Sequence, residues 1–153
     1  MVDQDRIERG SCFCGKIVAH VRGEPFWINY DHDDDCRKAL GSPLTVWIGY
    51  RQEQISFREN TPKTFSKTPG VLRTFCEKCG SSIGYVDEGL PAEYWLTIGF
   101  MDNPERFKPE MHAFWSMKLP WVEFADDLPR TPGYSRRRDP AIGDPSTRAR
   151  ERR

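Results

Sequence analysis

The apolar positions of this chain occur in short runs separated by glycine and proline, a pattern typical of β-strands. Residues 16–22 (KIVAHVR) alternate between apolar and polar side chains, as a half-buried strand does. The runs at 44–50 (LTVWIGY) and 93–100 (EYWLTIGF) are longer and rich in β-branched and aromatic residues, which favour strands. Shorter runs predict further strands at 26–30, 55–57, 64–66, 71–75, 82–86 and 111–115.

Helical patterns are almost absent from the chain. No segment has the apolar spacing of a long amphipathic helix, and residues 37–40 predict a single helical turn that ends at Gly41. Many short strands divided by turns predict a mainly β fold of antiparallel sheets, in a single domain with very little helix.

The composition changes after residue 129. From Arg130 onward, eight arginines face three acidic residues, so this segment carries a net charge of +5 and the rest of the chain −5. Such a segment cannot bury enough apolar surface to offset its ordering entropy. We therefore predict a domain over residues 1–129 and a mobile, basic, Pro/Arg-rich tail over residues 130–153. The acidic domain opposes phosphate binding, so a nucleic-acid partner is not predicted.

The first ten residues (MVDQDRIERG) are charged and contain no apolar run. They predict neither a secretory signal nor a membrane span, and hence a cytoplasmic protein. In a reducing compartment, the five cysteines are expected to be thiols or metal ligands rather than disulfide halves.

Four of the cysteines form two close pairs, each followed directly by glycine: Cys12 and Cys14, and Cys76 and Cys79. Two thiolates at such spacing can reach one tetrahedral ion, and the glycine allows a tight turn behind the second sulfur. The pairs predict one zinc ion held by all four cysteines. Its role would be structural, because four thiolates leave no open position for a substrate.

Four strings of the chain also occur together, in this order, in a known family. They are GSCFCG at 10–15, DCRKALGSP at 35–43, TPGVLRTFCEKCGS at 68–81 and LPWVEFADDLP at 119–129. With these strings the chain resembles the glutathione-dependent formaldehyde-activating enzymes, a family that includes the centromere-protein-V-like proteins. The resemblance implies a β-tent fold with a structural zinc on the four paired cysteines. It also implies carbon–sulfur lyase activity, the reversible joining of a small carbonyl, formaldehyde, to the thiol of glutathione to give S-hydroxymethylglutathione.

The chain departs from the family at the second, catalytic zinc site, which usually has the string Cys-His-Cys-x-x-Cys. The matching string here is DHDDDC at 31–36, so Asp31 and Asp33 replace the first two cysteines and Cys36 is retained. In one hypothesis these three residues are catalytic and still hold a metal, with two oxygen ligands that lower the preference for zinc over ions such as manganese or magnesium. In another hypothesis the site has lost its metal, and the aspartates only satisfy the backbone of a turn.

In a third hypothesis Cys36 acts without a metal as a nucleophile or a redox-sensing thiol. The neighbouring Arg37 and Lys38, together with His32, would then favour its thiolate. His112 is interpreted as a structural residue, since no catalytic partner for it is visible in the sequence. The function predicted is that of a zinc-binding carbon–sulfur lyase with an altered second site; the alternative is a non-catalytic, zinc-stabilised binding module.

Overall fold

Ten strands and one helix make up the secondary structure of the computed structural model, which describes residue 3 and residues 5–136. The strands are β1 Ile7–Ser11, β2 Val18–Arg22, β3 Trp27–Asp31, β4 Thr45–Arg51, β5 Ile55–Phe57, β6 Lys63–Phe65, β7 Val71–Phe75, β8 Ser82–Asp87, β9 Glu93–Thr97 and β10 Met111–Ala113. Helix α1 spans Asp34–Leu40. The predicted mainly β fold is confirmed.

The strands form two sheets. The small sheet has the order β1-β2-β5, and the large sheet has the order β10-β3-β4-β9-β8-β7-β6. All pairs are antiparallel except β10 with β3, which run parallel. This single parallel pair departs from the predicted antiparallel arrangement.

The two central strands of the large sheet, β4 and β9, are buried on both faces. Their side chains alternate, so that Ile48 and Leu96 join the main core with the small sheet, while Trp47 and Trp95 pack with Cys36 on the opposite face. A strand that is covered on both sides has little need for polar residues, which explains the nearly continuous apolar runs at these positions.

Strand β1 was not predicted, because its alternation is reversed. Ile7 is exposed, whereas Glu8 is buried and forms ion pairs with Arg6 at 2.6 Å and Arg106 at 2.9 Å. Gly10 is the other inward position, where a Cβ atom would lie 2.5 Å from the Phe100 ring. Because the inward positions are a glutamate and a glycine, β1 lacks the alternating apolar residues by which strands are predicted.

Helix α1 is longer than the predicted turn and begins at the acidic string. The Asp33 side chain caps it by accepting a hydrogen bond from the Cys36 amide at 3.2 Å. Gly41 ends it with φ of 66°, in the left-handed region, and its amide donates to the Arg37 carbonyl.

The chain beyond β10 returns along that strand. Residues 126–136, called the C-terminal strap below, form a parallel bridge between Arg130 and His112. The Phe114 amide then donates to the Gly133 carbonyl at 2.9 Å. At the end of the strap, Arg136 forms an ion pair with the buried Glu93. The first residues of the predicted tail, 130–136, thus pack on the sheets, and the others lie outside the described residues.

No helix among the described residues is long and apolar enough to cross a membrane.

Candidate metal centres and a buried histidine pair

The two cysteine pairs meet at one point between the sheets. Cys12 and Cys14 lie in the loop between β1 and β2 of the small sheet, and Cys76 and Cys79 lie in the loop between β7 and β8 of the large sheet. All four sulfur atoms are within 4.8 Å of one another. The sequence prediction that these four residues come together is confirmed.

The spacing of the sulfur atoms fits a tetrahedral ion. The Sγ atoms of Cys12 and Cys14 are 3.7 Å apart, and those of Cys14 and Cys76 are 3.8 Å apart. A tetrahedral site with metal–sulfur bonds of about 2.3 Å has edges of about 3.8 Å. A disulfide would require about 2.05 Å. This cluster can therefore hold one metal ion, and an ion bound there would link the two sheets.

Turns with glycine in the left-handed region shape both loops. Gly15 and Gly80 have φ of 76° and 75°, and their amides donate to the carbonyls of Cys12 and Cys76. Each turn places the two sulfur atoms of its cysteine pair on the same side of the loop. The Ser81 hydroxyl lies 3.2 Å from the Cys79 sulfur, and this hydrogen bond lowers the pKa of the Cys79 thiol, which favours the thiolate that a metal requires.

A second cluster forms where β3 ends and α1 begins. Ligand atoms of Asp31, Asp33 and Cys36 lie within 4.8 Å of one another, and the Asp31 Oδ2 is 3.9 Å from the Cys36 Sγ. Asp31 and Cys36 are each only 6% exposed. Asp31 accepts a hydrogen bond from the Asp33 amide at 2.7 Å, so the loop is organised by its own aspartates.

The electrostatics of this cluster disfavour negative charge in the absence of a cation. Burial and the neighbouring Asp33 raise the pKa of Asp31 to about 7. Burial and the charge of Asp31 raise the pKa of the Cys36 thiol well above its usual value. A divalent cation would reverse this balance, because it stabilises the charged form of each ligand.

A narrow cavity of about 30 Å³ opens onto this cluster. Beside the three ligand candidates, its walls include Arg73, Tyr85, Phe114 and Tyr134. Since one water needs about 10–15 Å³ of such space, the cavity has room for about two molecules of that size. It suits an ion and a very small second molecule.

The cation nearest to Cys36 is not one that the sequence suggested. Arg37 points toward Asp34, with 3.7 Å between their charged atoms, and His32 contacts His112 instead. Arg73, from β7, places its Nη2 atom 3.5 Å from the Cys36 sulfur. Because burial and Asp31 raise the pKa of the Cys36 thiol, the thiolate that a metal-free nucleophile needs is disfavoured.

A buried pair of histidines lies behind the acidic string. His32 Nε2 is 3.0 Å from His112 Nδ1, and His112 Nε2 is 3.2 Å from an Asp126 carboxylate oxygen. Both rings are almost fully buried, at 1% and 0% exposure. Because a carboxylate only accepts, the neutral form of His112 donates to Asp126 through Nε2–H and accepts from His32 at Nδ1. The network joins the strap to the candidate metal loop.

His112 therefore has partners, although the sequence did not reveal them. Its partners are 80 and 14 residues away, too far for any local pattern to connect them. Arg73 and Tyr134 were missed for the same reason, since neither belongs to a spacing that is typical of a site. The one available signal was the position of Arg73 three residues before the Cys76 pair, within the string that carries the family resemblance.

The fold and the cysteine cluster define a small, mainly β protein built around a candidate four-thiolate metal centre. A family model described as "Glutathione-dependent formaldehyde-activating enzyme" matches residues 7–117, and the chain belongs to this family.

One solved structure with a similar fold is the crystal structure of a protein from Rhodobacter sphaeroides. It is 17% identical to this chain, with a TM-score of 0.51, over 80% of this chain and 99% of that one. At this identity the likeness concerns the fold alone. No curated protein matches the sequence.

Proposed function

We propose that this protein is a metal-dependent carbon–sulfur lyase that joins formaldehyde, or a similarly small carbonyl, to the thiol of glutathione in the cytoplasm. Membership of the family supports the general chemistry. The observation that carries the proposal is the second cluster, since Asp31, Asp33 and Cys36 bring three ligand atoms together on the wall of a cavity.

The four-cysteine cluster is proposed to hold a structural zinc ion. Four thiolates at tetrahedral spacing are a donor set that zinc prefers, and they leave no position for a substrate. The binding free energy of such a site is on the order of ten kcal/mol, enough to decide whether a small domain folds.

The second cluster is proposed to hold a divalent cation with an open coordination position. Its two carboxylates and one thiolate suit zinc, cobalt or manganese, and they favour zinc less than three thiolates would. When bound, such a cation supplies Lewis acidity toward a carbonyl oxygen or a thiolate.

The reaction is an addition that needs no other reactant. The sulfur forms a bond to the carbonyl carbon, the π electron pair moves to the oxygen, and the thiol proton ends on that oxygen. The protein provides a narrow cavity whose walls include Phe114, Tyr85 and Tyr134. The small cavity favours a one-carbon carbonyl over larger aldehydes.

Metal content tests the proposed centres directly. Elemental analysis of the wild type loaded with zinc or manganese should give two ions per chain, and the double variant Asp31→Ala/Asp33→Ala should give one. Asp34→Asn is the matched control, because Asp34 lies in the same acidic string but outside the cluster, and it should retain two ions. One ion in the wild type with every metal would remove the second centre.

Activity is tested by the rate of S-hydroxymethylglutathione formation from glutathione and formaldehyde. We expect a rate above the spontaneous reaction that falls to the spontaneous level in the double variant. If no divalent metal gives the wild type a rate above the spontaneous one, the lyase proposal fails.

A non-catalytic binding module is the second candidate, and one observation favours it. Both aspartates have structural tasks, because Asp33 caps α1 and Asp31 binds the Asp33 amide. This candidate predicts one ion per chain, and no loss of cellular function when Cys36 is replaced by serine in a folded protein.

A further inference from the structure

Arg73 is a charged residue that lies beside the second cluster without belonging to its ligand set. It occupies the middle of β7, and its Nη2 atom donates to the Cys36 sulfur at 3.5 Å. The same guanidinium faces the ring of Tyr85, with its Cζ atom 6.0 Å from the ring centre. The side chain therefore reaches from the sheet into the cavity.

The position of Arg73 is fixed by the large sheet rather than by a loop. Arg73 pairs with Tyr85 across β7 and β8, and Tyr85 packs edge-on against Trp47 at 4.7 Å between ring centres. Trp47 is 1% exposed and belongs to the same buried cluster as Cys36. A guanidinium held in this way has little freedom to leave the thiol.

Arg73 is the one basic residue among the described residues that line the cavity. Lys67, which is not among the lining residues, forms an ion pair at 2.8 Å with Asp35, which is. With Asp31, Asp33 and Cys36 ionised, a divalent cation leaves one negative charge in the cluster, and a guanidinium cancels it. A net charge in a buried site has a large desolvation cost. The neutral sum of the three ligands, a divalent cation and the Arg73 guanidinium avoids that cost.

We propose that Arg73 is a positioning residue of the second metal centre, which holds the Cys36 sulfur through an N–H···S hydrogen bond and cancels the residual charge of the three ligands and a divalent cation. The inference rests on the proposed second centre. The hydrogen bond fixes the direction of the sulfur lone pairs and withdraws electron density from the thiolate. The bound cation consequently becomes a stronger Lewis acid.

Cobalt binding tests this role by spectroscopy. The protein is first given one equivalent of zinc to fill the four-cysteine cluster, and Co²⁺ is then added while the thiolate-to-cobalt charge-transfer band is recorded. Cys36→Ser identifies the contribution of the second centre. The test variants are Arg73→Met, which removes charge and hydrogen bond, and Arg73→Lys, which keeps the charge on a different donor. Arg58→Met is the matched control, because Arg58 is exposed and lies on the small-sheet side of the chain.

Arg73→Met should weaken Co²⁺ binding about 10–100-fold, the usual effect of losing a group that orients a metal ligand. Its charge-transfer band should move to longer wavelength, because a thiolate without the hydrogen bond is more electron-rich. Arg73→Lys should recover most of the affinity but not the band position, and Arg58→Met should match the wild type. A merely structural role would leave the band unchanged in any variant that still binds cobalt.

Failure of the role of Arg73 can be distinguished from failure of the proposed function. If the wild type shows a Cys36-dependent band and Arg73→Met shows the same band and affinity, Arg73 has no positioning role, while the proposed function stands. If the wild type shows no Cys36-dependent band with Co²⁺, the second centre does not exist, and both the proposed function and this inference fall.

Discussion

At the scale of single residues, Asp33 combines two tasks that are usually separate. One carboxylate oxygen, Oδ2, accepts from the Cys36 amide and starts helix α1, and the side chain also belongs to the candidate metal cluster. The cap holds Cys36 at the first turn, where its sulfur faces Asp31. The same aspartate is thus a structural residue and a proposed ligand, and substitution can separate the two tasks.

Replacement of Asp33 by asparagine should preserve the cap but remove the anionic ligand, because asparagine is as good a capping residue as aspartate. In protein that carries one equivalent of zinc, we expect the free energy of unfolding to stay within about 0.5 kcal/mol of the wild type, and on addition of more metal we expect the second ion to be lost. Replacement by alanine should cost about 1 kcal/mol in addition. Urea unfolding together with metal analysis separates the effects. Equal metal content in Asp33→Asn and the wild type would show that the negative charge of Asp33 is not required for the second ion.

The buried His32 gives a pH dependence of stability. Burial and the adjacent His112 lower the pKa of His32 to about 4, below its ordinary value of about 6.5. Between these values the unfolded chain binds a proton that the folded chain does not. Stability from this group is therefore fully present above pH 6.5 and is lost as the pH falls toward 4.

Nitrogen-detected NMR of the histidine side chains should show His32 neutral at pH 5.5. Urea unfolding of wild type and His32→Gln at pH 7.5 and 5.5 should show a smaller loss of stability on acidification in the variant. A His32 ring that is protonated at pH 5.5 in the folded protein would contradict the prediction.

At the scale of elements, the sequence predicts strands best where the apolar run is continuous and the strand is buried on both faces. The central strands β4 and β9 are buried on both faces, and their apolar runs predicted them. Strand β1 was missed because it buries a paired glutamate. The predicted strand at 93–100 is too long, since residues 98–100 form a 3₁₀ turn whose apolar residues look the same in sequence.

The residues of the candidate site likewise divide into those with a visible sequence pattern and those without one. The two clusters of candidate ligands, the four cysteines and the acidic string, could be predicted because their residues occur at the short spacings that are typical of metal sites. Arg73, His112 and the strap could not be predicted, because their roles arise from strand pairing and from contacts between distant parts of the chain.

The strap contributes one wall of the cavity. Tyr134 forms part of the cavity wall, and the strap is attached at its end by the ion pair between Arg136 and Glu93. It lies beyond residues 7–117, the part of the chain that the family model matches. The part of the cavity wall that Tyr134 forms is therefore outside the family match.

Weakening of that attachment should open the cavity. Arg136→Gln removes an ion pair worth on the order of 1 kcal/mol, so a local opening governed by it should become roughly fivefold more frequent. Protein that carries one equivalent of zinc, which protects the four-cysteine cluster, is treated with iodoacetamide, and peptide mass spectrometry then reports the access of the reagent to Cys36. We expect faster alkylation of Cys36 in Arg136→Gln and no change in Arg58→Gln. Equal rates in all three proteins would show that the strap does not control access.

At the scale of the whole molecule, the four-cysteine cluster lies between two sheets that share one core. The loops that carry the sulfur atoms come from different sheets, so each pair supplies half of a site that neither sheet completes alone. We propose that the domain does not stay folded without an ion at this point.

Removal of the ion should consequently unfold the domain. The proposed zinc contributes on the order of ten kcal/mol, and a small domain has a total stability of about 5–15 kcal/mol. A strong chelator should abolish the near-ultraviolet circular dichroism of the buried tryptophans. Cys76→Ser should resemble the chelated protein, whereas Cys36→Ser should remain folded and sensitive to the chelator. A wild-type protein that keeps its spectrum after complete removal of zinc would contradict this structural role.

The distance along the chain between the two halves of the cysteine cluster also has a consequence during synthesis on the ribosome. Cys14 and Cys76 are 62 residues apart. At about 5–20 residues per second, roughly 3–12 s of translation separate them. The loop between β1 and β2, which carries Cys12 and Cys14, therefore leaves the ribosome seconds before the loop that carries Cys76 and Cys79. During this interval its two thiols lack the second pair of ligands. Nascent chains that end before residue 76 would carry only two of the four cysteines and could not complete the proposed site.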